Sequence, residues 1–248
     1  MKSEKKYQEK YGDFFQQRSK YKRGKLPRGG LNWSTKPKTY KIYDNPISFI
    51  KLPDPKLDKD IKFWNIIIRR ASRRNINDKP ISIMQLSQLL FGITGITREY
   101  SQFAFRTIPS AGGLYPIETY ISVNNIENLK QGIYHYNIKE HAIELLKTGN
   151  FREKVAAGCL NQNIAAKASV DFLWTAIVER TKWKYKQRGY RYIYLDAGHI
   201  GQNFYLVAEA LGLGACSIGA IYDDELNELL DLDGVKETVI YVGVVGNI

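Results

Sequence analysis

The chain has 248 residues, 44% of them hydrophobic, and a formal net charge of +12 at pH 7. This length supports one substantial core, with or without an appendage, and the lack of any run of eighteen apolar residues excludes a membrane-spanning helix. The charged residues 1–10 hold no apolar core of a signal peptide, so we expect a cytoplasmic protein. The two cysteines, Cys159 and Cys216, lie far apart, which disfavours a disulfide scaffold or a zinc site.

Most of the positive charge belongs to the N-terminal part of the chain. Residues 1–40 carry twelve Lys and Arg against three Asp and Glu, a net charge of +9, which leaves +3 for the other 208 residues. The basic residues are interleaved with aromatic ones, namely Tyr7, Tyr11, Phe14, Phe15, Tyr21, Trp33 and Tyr40. Such a mixture can stack on nucleic acid bases or dock on a protein surface, including the chain's own dimer. Because prolines and glycines interrupt this region, we predict a basic, Tyr-rich extension over residues 1–60 and a domain over 61–248.

Regular elements follow the extension in chain order. Helices are predicted over residues 62–70, 82–92, 196–213 and 223–230, with a further one near Asn150 and Glu153. At the second helix, Ser82 and Gln85 have the spacing of a capping box. Strands are predicted over 119–123, 132–136, 142–146, 170–178 and 238–245, with 132–136 and 142–146 forming a hairpin. This mixture without strict βαβ alternation indicates the α+β class.

The helix over 196–213 is nearly uncharged and contains Gly198, Gly201 and Gly212. An almost wholly apolar helix must be covered on most sides, so it lies in a large core or in a subunit interface.

Two stretches have the composition of a ligand cradle. The run Arg69-Arg70-Ala71-Ser72-Arg73-Arg74 could clamp a phosphate through charge-assisted hydrogen bonds, although a basic run is also typical of a solvated face. Residues 109–116 read Pro-Ser-Ala-Gly-Gly-Leu-Tyr-Pro, and their adjacent glycines would let backbone lie close to a flat ligand or would simply form a connecting loop. This loop lacks the lysine of a P-loop and the spaced glycines of a dinucleotide fingerprint, which disfavours those ATP and NAD cradles.

Two later stretches contain further candidate groups. Within residues 182–192, Lys184 and Tyr185 are adjacent and could serve as general base and acid, or they belong to an exposed basic loop with aromatic anchors. The glycine-rich residues 212–222 could present backbone N–H groups to a ring, or form a helix C-cap followed by a short strand. The three histidines have no metal-motif spacing, so a metalloenzyme or a His-based hydrolase has little support.

Taken in order, these stretches resemble the SagB-type dehydrogenases, a branch of the nitroreductase superfamily that includes azoline oxidases. The resemblance spans residues 66–246 and rests on 109–116 with Glu118, on 184–192, and on Asp196-Ala-Gly-His-Ile-Gly-Gln-Asn. It implies the nitroreductase-like fold, a central, mostly antiparallel sheet wrapped by helices. It also implies an intertwined homodimer with FMN at the subunit interface.

The resemblance also assigns roles to residues. The flavin phosphate and ribityl chain would be held by Arg70, Ser72 and Arg74. The ring would be contacted by a loop of the partner subunit, formed by Pro109, Ser110, Ala111, Gly112 and Gly113. The segment beside the isoalloxazine would be Ser217, Ile218, Gly219 and Ala220. Lys184 and Tyr185 match the pair implicated in azoline oxidation. The chain departs from many nitroreductases at its end, Gly246-Asn247-Ile248, which holds no basic residue for the phosphate, so Arg188 or Arg191 could assist.

These observations favour three hypotheses. The first is an FMN-dependent dehydrogenase acting on an azoline-type ring in a peptide or related substrate, with a possible biosynthetic partner protein. The second uses the same flavin site as an NAD(P)H-dependent reductase of a nitroaromatic, a quinone or an enone. The third is a non-enzymatic module whose basic arm binds nucleic acid or a partner protein.

Overall fold

A computed structural model describes residues 10–26, 30–58, 60–77, 79–101 and 103–248. In these residues the α-helices are α1 Tyr11–Arg18, α2 Phe63–Arg69, α3 Ile83–Thr94, α4 Arg152–Gly158, α5 Asn163–Lys167, α6 Val178–Tyr185, α7 Gly189–Ala210 and α8 Asp223–Leu229. The strands are β1 Ser48–Lys51, β2 Ile96–Tyr100, β3 Phe103–Arg106, β4 Ile117–Val123, β5 Gly132–Asn137, β6 Ala142–Thr148, β7 Val170–Ile177, β8 Gly214–Ile218 and β9 Glu237–Gly246.

Seven strands form one sheet in the order β1-β6-β5-β4-β7-β9-β8, and every neighbouring pair in it is antiparallel. The predicted antiparallel sheet and the predicted hairpin of β5 with β6 are therefore confirmed. Strands β2 and β3 form a separate hairpin in the stretch where the sequence suggested only a polar loop.

The sheet lies between two helical layers. Along β7, Phe172 and Trp174 point into a core shared with α3 and α7, whereas Leu173 points into a second core shared with α4, α5 and α8. Successive strand residues face opposite sides of a sheet, so a strand covered on both faces is buried at every position. All residues of β4 and β5 are buried for this reason.

Local signals in the sequence set the start of α3. Ser82 accepts a hydrogen bond from the Gln85 backbone N–H, and the Gln85 side chain accepts one from the Ser82 backbone N–H, which confirms the predicted capping box. The helix ends at Thr94, two residues beyond the predicted end.

Helix α7 begins at Gly189, seven residues before the predicted start. A buried stripe on it includes Ile193, Ile200 and Phe204, which pack on the sheet. The opposite side leaves Tyr194 and Leu195 more than half exposed. One face of this apolar helix is thus core, while the other leaves Tyr194 and Leu195 uncovered by the part of the chain that the structure describes.

The predicted extension contains more regular structure than its sequence suggested. Strand β1 pairs with β6 at the edge of the sheet, and α1 precedes it. Glycines and prolines around these short elements had hidden them from a periodicity argument. Among the described residues, none of the helices has the length and apolar character needed to cross a membrane.

Candidate functional site

The glycine-rich loop over 109–113 is fixed by a carboxylate on α7. The Ser110 hydroxyl donates to Asp196 at 2.5 Å, and the Ala111 backbone N–H donates to the same carboxylate at 3.3 Å. Ser110 also accepts from the Tyr115 backbone N–H at 2.9 Å. Burial raises the pKa of Asp196, while these hydrogen bonds oppose the rise. Asp196 therefore ties the loop to the helix.

The same loop lies against the candidate acid–base pair. A Cβ atom on Gly112 would stand 2.7 Å from the Tyr185 hydroxyl oxygen and 3.0 Å from Lys184 Nζ. Gly112 and Gly113 have φ values of +68° and +64°, a region that favours glycine. The fold thus brings together two stretches that are more than seventy residues apart in the chain, as expected if they share one site.

A non-glycine residue next to the pair also adopts an uncommon backbone conformation. Lys186, at the end of α6, has φ +50° and ψ −139°. Such conformations cost on the order of 1–3 kcal/mol and cluster at functional sites. The turn sets the direction in which the chain leaves Tyr185 toward α7.

A second group of predicted residues meets around Tyr205 of α7. The Tyr205 hydroxyl lies 3.0 Å from Ser72 Oγ and accepts from the Ser217 backbone N–H at 2.7 Å. The Arg70 guanidinium stands 5.3 Å from the Tyr205 ring centre. The arginine run and the segment beginning at Ser217 are therefore neighbours, joined by a tyrosine to which sequence reasoning gave no role.

The arginine run divides into two kinds of residue. Arg69 and Arg73 form ion pairs with the buried Glu209 at 3.1 and 2.9 Å. Among the described residues, Arg70 and Arg74 have no acidic side chain within ion-pairing distance. The alternation leaves two guanidinium groups for an external anion.

Polar groups and open space beside this second group fit a flavin. The Ser217 hydroxyl is buried without a hydrogen-bond partner, and an unpaired buried hydroxyl is costly unless a ligand satisfies it. A Cβ atom on Gly219 would meet nothing within 4 Å, so the backbone there is open to a planar ligand. With Arg70 and Arg74 nearby for a phosphate, the donor set agrees with the chemistry of FMN.

One chain does not bring the two groups together. Asp196 and Tyr205 are nine residues apart on α7, which corresponds to two and a half turns and about 13 Å along the axis. A half turn places them on opposite faces of the helix. The group around Gly112 and the group around Tyr205, named here the two half-sites, therefore lie on opposite faces of α7.

The extension covers the helix that carries the acid–base pair. Trp183 donates its indole N–H to the Asn32 carbonyl at 3.1 Å, and Arg180 donates to the Lys38 carbonyl at 2.8 Å. Further along, Arg188 donates to the Ser19 carbonyl and Arg191 to the Ser19 hydroxyl, at 2.7 and 2.9 Å. The two arginines suggested as phosphate helpers thus contact the extension.

A buried network of charged side chains from the sheet contacts Arg180 of α6. His135 has one ring nitrogen 3.0 Å from Glu118 and the other 2.9 Å from Glu144, and Glu118 also pairs with Arg180 at 2.5 Å. Burial alone would raise the pKa of Glu118, but Arg180 and His135 lower it to about 2. Burial would lower the pKa of His135, but the two carboxylates raise it. Apart from the noted position of Glu118, no sequence motif indicated this network, because its members come from three strands and a helix.

Comparison with known proteins places this geometry in a family. The nitroreductase family model matches residues 67–247. MJ1384 of Methanocaldococcus jannaschii, named as a nitroreductase, is 37% identical over 78% of this chain and 95% of its own length. The Escherichia coli protein McbC, named for microcin B17 processing, is 29% identical over 66% of this chain and 62% of its own length. The Rhizobium leguminosarum protein TfxB, named for trifolitoxin processing, is 31% identical over 56% of this chain and 39% of its own length.

Solved structures agree on the fold. A nitroreductase-like protein from Anabaena variabilis aligns with a TM-score of 0.78 at 26% identity, covering 94% of this chain but only 45% of that one. The E. coli microcin synthetase McbBCD complex with truncated pro-MccB17 contains a chain with a TM-score of 0.65 at 22% identity, covering 95% of this chain and 91% of that one. A nitroreductase-like protein from Desulfovibrio desulfuricans, solved in complex with FMN, aligns with a TM-score of 0.54 at 18% identity, covering 76% of this chain and 87% of that one.

Proposed function

The chain belongs to the nitroreductase family, with relatives in its SagB-type azoline dehydrogenase branch, and from that premise we propose that it is an FMN-dependent dehydrogenase of an azoline-type ring in a peptide or related substrate. One observation carries the proposal. Lys184 Nζ and the Tyr185 hydroxyl converge on Gly112, and the next residue of the loop, Gly113, has open space at its Cβ position where a flat ligand could approach the backbone.

The residues that would hold FMN come from both half-sites. The phosphate and ribityl chain would be bound by Arg70, Ser72 and Arg74, because the two arginines have no acidic partner among the described residues. The ring would lie beside Ser217, Ile218, Gly219 and Ala220 and against the loop of Pro109, Ser110, Ala111, Gly112 and Gly113. Ser217 would thereby gain the hydrogen-bond partner that its buried hydroxyl lacks.

A homodimer would unite the half-sites. The face of α7 that exposes Tyr194 and Leu195 is apolar, and α2 leaves Trp64 and Ile68 more than two-thirds exposed. Contiguous apolar surface of this kind marks interaction sites. A second copy packed there would bring Gly112 of one chain toward Tyr205 of the other, which is the arrangement that the family resemblance implies.

The chemistry divides between cofactor and protein. FMN, when bound, supplies the two-electron redox chemistry of such a dehydrogenation. The proton from the ring carbon of the substrate would be taken either by Tyr185 as its phenolate, which becomes the phenol, or by Lys184 as its neutral amine, which becomes the ammonium. In the first case the Lys184 ammonium, with Nζ 5.3 Å from the centre of the Tyr185 ring, would stabilise the phenolate before the transfer. Asp196 keeps the loop at Gly112 in place.

The names of two relatives support a peptide substrate. McbC and TfxB are named as processing proteins of microcin B17 and trifolitoxin, and the McbBCD complex was solved with truncated pro-MccB17 bound. By analogy, we propose that this chain acts on a ring in a peptide and works beside a biosynthetic partner in the cytoplasm. The chain matches only part of the length of McbC and TfxB.

The first test is the purified protein's visible spectrum, followed by mass identification of the released cofactor. A yellow dimer that releases FMN and converts a thiazoline peptide to the thiazole agrees with the proposal. The double variant Lys184→Ala/Tyr185→Phe should keep FMN and lose turnover. Full turnover in that variant with FMN bound would show that another residue takes the proton.

MJ1384 motivates a second candidate, because that 37% identical relative is named as a nitroreductase. In this alternative the same FMN site takes reducing equivalents from NAD(P)H and passes them to a nitroaromatic, a quinone or an enone. Rapid bleaching of the yellow protein by NADPH, without azoline turnover, would favour the reductase over the dehydrogenase.

A further inference from the structure

The segment over residues 10–26, which we call the arm, is docked beside the candidate acid–base pair. Phe15 packs edge-on against Tyr190 with ring centres 6.3 Å apart, and Tyr21 lies under the Arg188 guanidinium at 4.3 Å. Arg191 adds a hydrogen bond to the Gln16 carbonyl at 2.7 Å. These contacts hold the arm to the segment that joins Tyr185 to α7.

The arm is connected to Tyr185, a candidate catalytic residue, through the ring of Tyr192. The rings of Tyr185 and Tyr192 have centres 4.6 Å apart, and Arg188 donates to the Tyr192 hydroxyl at 2.9 Å. Burial raises the pKa of Tyr21, and so do the charge of the neighbouring Tyr192 and a hydrogen bond with it. The end of the arm therefore lies next to the stacked rings of Tyr185 and Tyr192.

The arm is strongly cationic. It has six exposed basic residues, and five of them lie close together in sequence from the end of α1 onward: Arg18, Lys20, Lys22, Arg23 and Lys25. Across the described parts of the chain, no carboxylate lies within ion-pairing distance of any of them, nor of Lys184 or Lys186. Clustered like charges repel one another, so an anionic ligand would relieve a cost that the fold leaves uncompensated.

Two aromatic residues of the arm are not available for base stacking. Phe15 and Tyr21 are engaged with Tyr190 and Arg188, whereas Tyr11 and Phe14 are more than half exposed, Phe14 with the Arg18 guanidinium 5.2 Å from its ring centre. Nucleic acid binders of this type use several free aromatic faces along the strand to stack on successive bases. The arm offers mainly charge, which suits carboxylates presented by a flexible peptide.

We propose that the cationic arm surface (Arg18, Lys20, Lys22, Arg23 and Lys25) binds an acidic segment of the peptide substrate, and thereby holds a neighbouring ring in front of Tyr185. The inference rests on the proposed function for the identity of the ligand as a substrate. It adds a selectivity that the flavin site itself does not supply, namely preference for peptides with Asp or Glu close to the reacting ring.

The test compares two charge reversals in the full-length, FMN-loaded protein. The arm variant is Lys20→Glu/Lys22→Glu/Lys25→Glu. The matched control, Lys130→Glu/Lys139→Glu/Lys167→Glu, changes the net charge equally at exposed sites on other elements. Both are checked for FMN content and for circular dichroism. Binding is measured by fluorescence anisotropy with a fluorescein-labelled peptide of alternating Gly and Asp, a Gly-Ser peptide and a thymidine oligonucleotide.

We expect the Gly-Asp peptide to bind the unmodified protein with an affinity that falls as salt is raised, since exposed charges are screened. The arm variant should lose affinity by about tenfold or more, because each reversal removes an attraction and adds a repulsion. The control variant should stay within about threefold. Equal loss in both variants, no loss in the arm variant, or stronger binding of the oligonucleotide than of the peptide would each overturn the inference.

A turnover assay separates this inference from the proposed function. With azoline peptides that differ only in acidic or neutral flanks, the arm variant should raise KM for the acidic peptide and leave kcat unchanged. A protein that binds the acidic peptide and FMN but converts no azoline would contradict the proposed function alone. A protein that converts both peptides with equal KM would contradict the arm inference alone.

Discussion

Gly112 lies directly against Tyr185, so close that a Cβ atom on Gly112 would stand 2.7 Å from the Tyr185 hydroxyl oxygen. The contact joins the loop at Gly112 to the end of α6, although the two lie more than seventy residues apart in the chain. Because the glycine also has φ +68°, both its space and its backbone conformation exclude a side chain. The position of the Tyr185 hydroxyl therefore depends on this residue having no Cβ.

Replacing Gly112 with alanine should displace the acid–base pair. We expect Gly112→Ala to destabilise the protein by more than the ~1 kcal/mol that a positive φ alone costs alanine, and to lower azoline turnover. Gly212→Ala is the matched control, because Gly212 has φ +69° but nothing within 4 Å of its Cβ position. Urea unfolding and turnover assays measure both effects. Equal losses of stability and of activity in the two variants would refute the steric argument.

Ser110 and Asp196 should be energetically coupled. Their hydrogen bond joins a hydroxyl to a partly buried carboxylate, and bonds to charged groups contribute about 1.5–3 kcal/mol. A double-mutant cycle with Ser110→Ala and Asp196→Asn should therefore give a coupling free energy of about 1 kcal/mol or more in urea unfolding. Strictly additive effects would mean that the loop is held by other contacts.

His135 should make stability depend on pH. Both of its nitrogens face carboxylates, so both must carry hydrogen, which favours the charged form and raises the pKa of His135 against the opposing effect of burial. A histidine whose pKa is raised on folding adds stability that is complete below its unfolded pKa and is lost as pH rises through the folded value. The free energy of unfolding of the wild type relative to His135→Gln should thus decline from about pH 6.5 upward. A difference that grows with pH would contradict this assignment.

Neighbouring arginines should have separable effects. Arg70→Ala should weaken FMN binding by roughly 10-fold to 100-fold, as expected for loss of a charge-assisted hydrogen bond to phosphate. Arg73→Ala should instead lower stability, because Glu209 is buried and would keep only Arg69 as a partner. Quenching of flavin fluorescence and thermal unfolding distinguish the two outcomes. Equal FMN affinity in the two variants would remove Arg70 from the phosphate site.

The elements that sequence reasoning found are those whose pattern is local. The capping box at Ser82 and Gln85 is complete within four residues, and the buried strand β7 appears as a mainly apolar run. Helix α6 was missed because it begins at Val178 directly after β7, with no turn residue between them. Strand β8 was considered only as an alternative, since its glycine-rich sequence fits a loop equally well.

The candidate site was found by composition and by resemblance, whereas its connections were not. No pattern shows that Tyr205 would join Ser72 to Ser217, because the three residues lie on separate elements. Asp196 belonged to a quoted segment, but its role depends on a loop eighty-five residues earlier in the chain. Contacts of this range are created by the order of strands in the sheet, which the sequence pattern does not encode locally.

In the proposed homodimer, the placement of the two groups on opposite faces of α7 means that defects in them can complement each other. In a mixed dimer of an Arg70→Ala chain and a Tyr185→Phe chain, one pocket would collect both defects and the other would be wild type. Random pairing of equal amounts would make about a quarter of all pockets wild type, since half of the dimers are mixed and each has one sound pocket. Two mutations that share a pocket within one chain could not rescue each other in this way.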